Sequence, residues 1–237
     1  MNRLNYYIQE KLKISAKSKI NNFEYTPQNK EELKAIIKDL LEKNGRNADL
    51  NNIDTSEIDD MEELFVGLNP GNIDIKYWDM TNVENIKSMF AECHDFNCDL
   101  SNWNVSNIKN MCNTFAECYN FNCDLSNWDV SNVTTLMHTF DTCISFEGKG
   151  LENWNIKNVR SLCGTFRNCN KFNCDLSNWD VRNVKFLSNC FDGCEALDCD
   201  LSNWKIDQDV YMMKSMFDGC KKLINNKKIP DWYLYKN

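Results

Sequence analysis

Four cysteine pairs recur with the spacing C-x-x-x-x-C: Cys93 and Cys98, Cys118 and Cys123, Cys169 and Cys174, Cys194 and Cys199. Thiols placed at intervals have two chemistries open to them, binding of a soft metal or oxidation to disulfides, beside the plainer role of small buried hydrophobes. The spacing is not the C-x-x-C of zinc ribbons, and the pairs are tied to a repeat, so a structural thiol ladder is expected and no metal site is assigned. The thirteen cysteines are an odd number in a chain of 237 residues, which favours free thiols over a disulfide framework.

Catalytic chemistry has little to work with. The two histidines, His94 and His138, stand at unrelated positions, and no nucleophile elbow, zinc-binding H-E-x-x-H or phosphate-binding glycine loop occurs. Cys93, His94 and Asp95 are adjacent in sequence, and adjacent side chains point in different directions. No catalytic residue and no cofactor is therefore expected, and the chain is read as a non-enzyme.

Two columns of acids and amides are more informative. Asp74, Asp99, Asp124, Asp175 and Asp200 recur four residues before a tryptophan; Asp79, Asn104, Asp129, Asn155 and Asp180 recur one residue after it. Stacked about 4.8 Å apart, uncompensated aspartates repel. The first column reads best as turn residues that accept backbone N–H bonds, with Asn102, Asn127, Asn153, Asn178 and Asn203 as a companion amide ladder. The second lies between inward Trp and Val positions on an expected strand. Asp79, Asn104, Asp129, Asn155 and Asp180 are thus the candidate binding face, for a basic protein or for Ca²⁺.

The positions of tryptophan reveal the elements that must hold these columns. Trp78, Trp103, Trp128, Trp154, Trp179 and Trp204 are spaced by 25, 25, 26, 25 and 25 residues. A degenerate copy at 49–65 puts Ile53 in the tryptophan position, making seven units. Within a unit, Phe96, Cys98 and Leu100 alternate as on a strand, while Ile108, Met111 and Phe115 fall at i, i+3 and i+7 as on a short helix. The expected fold is α/β: a solenoid of about seven 25-residue strand–turn–helix repeats with an N-terminal capping helix. Single extra residues in 146–151 and 204–210 are absorbed in connecting stretches, the first by two glycines.

Four regions follow. Residues 1–22 form a basic amphipathic leader, 23–48 the capping helix, 49–223 the repeat array and 224–237 a C-terminal cap. The capping helix is written at 29–45, where Asn29 and Glu32 form a capping box, Leu33, Ile36, Ile37, Leu40 and Leu41 share a face, and Gly45 ends it. The motif IPDWYLY at 229–235 offers bulky apolar groups for the far end.

Charge bears on the partner. The net charge of −8 divides into ten basic against six acidic residues in 1–48 and seventeen against twenty-nine in 49–237, which excludes nucleic acid as a partner for the repeat body. No run of eighteen apolar residues provides a transmembrane segment, and the first fifteen residues lack the apolar core of a secretory signal, so a cytoplasmic location is expected.

Residues 121–143 and 172–194 nearly fulfil the pattern F-N-x-D-L-S-x-W-D-V-S-N-V-x-x-M-x-x-M-F-x-x-C. The array at 49–223 resembles on these residues the BspA-like leucine-rich-repeat surface proteins, whose 25-residue unit also occurs in mycoplasma lipoproteins. The resemblance implies a right-handed leucine-rich-repeat-like solenoid of stacked parallel strands, display at a cell surface or virion, and adhesion or protein binding without catalysis. The function expected is a non-catalytic interaction or adhesion-type scaffold with a protein partner. The alternatives are a thiol-rich metal-binding or redox-responsive protein and a structural component of a virus particle or cell envelope.

Overall fold

A computed structural model of the chain describes residues 23–206 and 212–234. The leader expected at 1–22, the extra residue in 204–210 and the last three residues of the C-terminal cap lie wholly or partly outside these.

The array is built from turns. Among the described residues there is no β-sheet, and between residues 49 and 220 the one helical element is the 3₁₀ turn Leu151–Asn153. The expected leucine-rich-repeat solenoid of strand, turn and helix is thereby corrected. The destination of the backbone N–H groups gives the reason. In the unit read as a helix, Met111, Asn113, Phe115 and Glu117 donate to Thr135, Met137, Thr139 and Asp141 one unit later. An α-helix needs those donors for its own carbonyls four residues back. The residues between them close local turns, Thr114 to Met111 and Ala116 to Asn113. Asn113 (φ 55°) and Glu117 (φ 61°) adopt the left-handed conformation that such alternation requires, and Ser88, Glu92, His138 and Thr142 do the same.

The segment read as a strand has its own substitute for a ladder. Asn97, Asn122 and Asn173 accept the N–H of Asn122, Glu147 and Asp198 on their side-chain oxygens, at 2.8, 3.0 and 2.8 Å. Side-chain acceptors there take the place of backbone carbonyls. In another segment of each coil the units pair through isolated parallel bridges: Asp60 to Asn85, Asn85 to Asn110, Asn110 to Thr135, Thr135 to Ser161, Ser161 to Phe186 and Phe186 to Met212.

These bridges place successive units one over another, and the rings inside follow. Phe65, Phe90, Phe115, Phe140, Phe166, Phe191 and Phe217 form one uninterrupted column with centroid separations of 5.0 to 5.7 Å. Trp103 and Trp128, Trp128 and Trp154, and Trp179 and Trp204 stack at 6.4 Å with planes within 6°. Each indole also donates to the coil before it: Trp103 Nε1 reaches the carbonyl of Ile75 at 3.0 Å and Trp128 that of Leu100 at 3.1 Å. We number the coils 1 to 7 from the one containing Ile53 to the one containing Trp204.

The irregular coil 5 is entered through Gly148 and Gly150, at φ 90° and 95°. A Cβ on Gly150 would stand 2.2 Å from the backbone nitrogen of Ser126, and one on Gly148 would stand 2.5 Å from the Phe172 ring. Glycine is needed at both for conformation and for close approach.

Both ends are covered. Helix α1 (Lys30–Asn44) buries Leu33, Ile37 and Leu40, and the Asn29 side chain accepts from the Glu32 N–H. The Glu32 carboxylate takes the N–H of Gln28, one residue before the capping-box position. Lys34 Nζ donates to the Glu63 carbonyl at 2.8 Å, where coil 1 has no earlier coil to supply a donor. At the other end follow α2 (Lys221–Asn225) and α3 (Asp231–Leu234). There Trp232 Nε1 reaches the Leu201 carbonyl at 3.2 Å, the bond that the repeating tryptophans make, and Tyr233 packs edge-on to Phe217. Among the described residues no helix is long and apolar enough to cross a membrane.

Trp128 carries both interactions at mid-array, so its variants separate them. Urea unfolding should show Trp128→Ala destabilised by about 3–5 kcal/mol from lost ring burial, and Trp128→Phe by about 1–2 kcal/mol from the lost Nε1 bond and smaller ring. A Trp128→Phe variant as stable as the unmodified chain would contradict a role for the indole N–H, and equal costs for the two would contradict the share given to ring burial.

Candidate binding face

The polar columns are turn hardware before anything else. Asp74, Asp99, Asp124, Asp175 and Asp200 each accept the N–H two residues on through Oδ1, at 2.9 to 3.1 Å. Cross-coil lysines offset the repulsion at two of them. Lys76 pairs with Asp99 at 2.8 Å and Lys149 with Asp124 at 2.6 Å, and each lysine holds its partner's carboxyl down to about 2.

The column after tryptophan makes the same turn. Oδ1 of Asp79, Asn104, Asp129, Asn155 and Asp180 accepts from the N–H of Thr81, Ser106, Ser131, Lys157 and Arg182, at 2.9 to 3.3 Å. These residues therefore sit at the start of a turn and not on a strand. Asn104, Asp129 and Asn155 are exposed; Asp79 and Asp180 are half-buried. Hydrogen bonding to Ser131 lowers the Asp129 carboxyl, and Arg182, at 2.6 Å, lowers that of Asp180.

The amide ladder between coils runs through residues the sequence reading passed over. Asn82, Asn107, Asn132, Asn158 and Asn183 donate Nδ2 to the carbonyls of Ser56, Thr81, Ser106, Ser131 and Lys157, at 2.7 to 2.8 Å. Of the asparagines expected in that role, Asn127 donates to the Ser101 carbonyl at 3.3 Å. The signal lay in the repeated Asn directly before an inward Val or Ile, which sits at a turn tip with its amide within reach of the coil before.

Beside this ladder run two columns whose residue types change from coil to coil. One comprises Ser56, Thr81, Ser106, Ser131, Lys157 and Arg182; the other Asp59, Glu84, Lys109, Thr134, Arg160 and Lys185. Their backbone is the same in every coil: Glu84, Lys109, Thr134, Arg160 and Lys185 each donate an N–H to the preceding member's carbonyl, at 2.8 to 2.9 Å. In each coil these columns follow the row of Asp79, Asn104, Asp129, Asn155 and Asp180 around the turn that the asparagine ladder ties to the coil before.

Twelve of the thirteen thiols are buried in the interior, and Cys163 is half-buried. Cys118, Cys143, Cys169, Cys194 and Cys220 donate S–H to the carbonyls of Phe90, Phe115, Phe140, Phe166 and Phe191 at 2.9 to 3.0 Å. The second cysteine of each pair is in a different column: Cys123 meets the Cys98 carbonyl of the coil before. All thirteen are free thiols, and among the described residues no three His, Cys, Asp or Glu side chains are grouped to hold a metal ion. Burial pushes the Cys93, Cys123 and Cys220 thiols up to about 12 and Cys199 to about 11, and raises the rest. Cys93, His94 and Asp95 diverge as expected: His94 stacks on Tyr119 at 4.4 Å, and Asp95 pairs with Arg46 at 2.8 Å. The other histidine, His138, bonds to Asp141 at 2.9 Å, and Arg167 Nη2 holds the same carboxylate at 2.7 Å.

A family model described as "Mycoplasma protein of unknown function, DUF285" matches residues 31–149 and again 134–236. No curated protein and no solved structure matches the chain.

Buried thiols make the fold sensitive to alkali. The folded pKa values lie above the ordinary thiol value near 9, so the folded chain keeps protons that the unfolded chain releases. Stability is complete below that value and falls as pH rises from 9 towards 12. Each deeply buried thiol removes about 1.4 kcal/mol per pH unit, and several together exceed the roughly 5–15 kcal/mol stability of a domain. Circular dichroism under reducing conditions should show unfolding near about pH 10; a chain still folded at about pH 12 would contradict this burial.

Proposed function

This chain belongs to that family of unknown function, and from this premise we propose that it is a non-catalytic protein-interaction scaffold, an adhesion-type binding protein akin to the BspA-like arrays. Its binding face is the row of Asp79, Asn104, Asp129, Asn155 and Asp180 with the two columns beside it.

One observation carries the reading: the face combines a constant frame with changing side chains. Asn82, Asn107, Asn132, Asn158 and Asn183 are tied to the previous coil in the same way. The positions flanking them run from Ser56 to Arg182 and from Asp59 to Lys185. A residue required by the frame does not vary, whereas one presented to a partner is free to do so. The scaffold is also supported over a thiol-based metal protein by the use of Cys118, Cys143, Cys169, Cys194 and Cys220 as donors to backbone carbonyls.

Capture assays against a panel of purified basic and neutral proteins test the face. Asp129→Asn and Asp180→Asn together keep the turn-forming Oδ1, as Asn104 and Asn155 do, and should reduce capture of a basic partner several-fold while leaving the melting temperature within a few degrees. Capture unchanged by the loss of both charges would remove the face from the proposal.

A further inference from the structure

The column from Asp59 to Lys185 changes sign along its length. Asp59 and Glu84 are acidic, Lys109 and Thr134 lie in the middle, and Arg160 and Lys185 are basic. Neighbouring columns reinforce both ends. Asp54, Glu57 and Asp79 add to the acidic end in coils 1 and 2, and Lys157 and Arg182 add to the basic end in coils 5 and 6. The residues are adjacent across coils: Glu84 N donates to the Asp59 carbonyl at 2.9 Å, and Lys185 N donates to the Arg160 carbonyl at 2.8 Å. Four cations so grouped are conspicuous on a chain of net charge −8. Part of the charge is met internally, since Lys109 pairs with Glu84 at 2.6 Å and Arg182 with Asp180 at 2.6 Å. Glu57, Asp59, Lys157 and Arg160 are exposed at the two ends.

We propose that this face pairs with the same face of a second copy of the chain, the two stacks running antiparallel. This rests on the reading that the face is an interaction surface, and it names the partner. A two-fold axis crossing the column between Lys109 and Thr134 sets Asp59 of one copy opposite Lys185 of the other, and Glu84 opposite Arg160. The same operation repeats both pairings on the other side of the axis, as an isologous contact requires. The centre that must come close is flanked by short side chains, Ser106, Asn107, Ser131 and Asn132, around Lys109 and Thr134. A parallel arrangement would set like charges together. Electrostatic complementarity over a narrow strip makes a weak and salt-sensitive contact. The net negative charge of the two copies is screened beyond about 10 Å at 0.1 M salt, whereas the facing pairs are not.

The test is sedimentation equilibrium of the full chain at about 0.1 M and about 1 M salt, with three variants. The first carries Arg182→Glu and Lys185→Glu in coil 6, the second Glu57→Lys and Asp59→Lys in coil 1, which the two-fold sets opposite it, and the third all four substitutions. The unmodified chain should dimerise at the lower salt and lose about tenfold or more in affinity at the higher. Each double variant should also lose about tenfold, and the fourfold variant should recover most of it, because both ends have exchanged sign. A chain monomeric throughout, or dimerisation unaffected by the double variants or not recovered in the fourfold one, overturns the pairing. So does capture of a labelled single-stranded oligonucleotide by a monomeric chain that the first variant abolishes, which would assign the cations to nucleic acid. The outcome is separable from that of the wider reading: a monomeric chain that still captures a basic protein through Asp129 and Asp180 retains the face and loses the second copy.

Discussion

No coil of this protein can satisfy its own backbone. In coil 2 the N–H groups of Ile86, Ser88, Phe90 and Glu92 point to the carbonyls of Asn110, Cys112, Thr114 and Ala116, and the pattern recurs down the array. A buried donor without a partner costs about 1–3 kcal/mol, so four such donors per coil make an isolated coil unstable and stacking obligatory. The left-handed residues, two in most coils, are a consequence. Ser88 and Glu92 (φ 53° and 63°) turn alternate N–H groups towards the next coil while their neighbours close local turns. Conformations that cost about 1 kcal/mol or more apiece persist because the neighbouring coil over-determines them.

Most of the repeated residue types answer this same demand for partners. Asp and Asn begin turns, the S-N-V asparagine ties a turn tip to the coil before, and Trp and Cys donate from the interior to carbonyls one coil back. Phe and Trp rings then fill the centre in columns. A residue engaged in the frame has little freedom to specify a ligand. In the proposed interaction face, specificity falls to the side chains that change from coil to coil, from Ser56 to Arg182 and from Asp59 to Lys185.

The 25-residue frame was legible because tryptophan is rare and large, and the cap at Asn29 because its chemistry is local. The thiols were legible as interior residues from their tie to the repeat. The contents of each coil were not. Ile108, Met111 and Phe115 have the spacing of a helix face, but inward side chains on a tight turn with left-handed Asn113 satisfy the same spacing, and periodicity records no φ. Strand alternation at Phe96, Cys98 and Leu100 was misleading for a related reason: Asn97 supplies the acceptor that a strand's carbonyl would have supplied. Asp79, Asn104, Asp129, Asn155 and Asp180 do recur from coil to coil, but at the starts of turns and not on a strand, and the varying columns beside them needed the coils to be set side by side.

Hydrogen exchange of the tryptophan indole N–H groups, followed by ¹H–¹⁵N spectroscopy on the native chain, tests the interlocking of coils most directly. The account predicts that Trp78, Trp103, Trp128, Trp154 and Trp179 exchange slowly and together, about a thousandfold or more below the rate of free indole, because opening one coil exposes the donors of the next. Indoles that exchange at the free rate, or each at its own rate without regard to its neighbours, would contradict it.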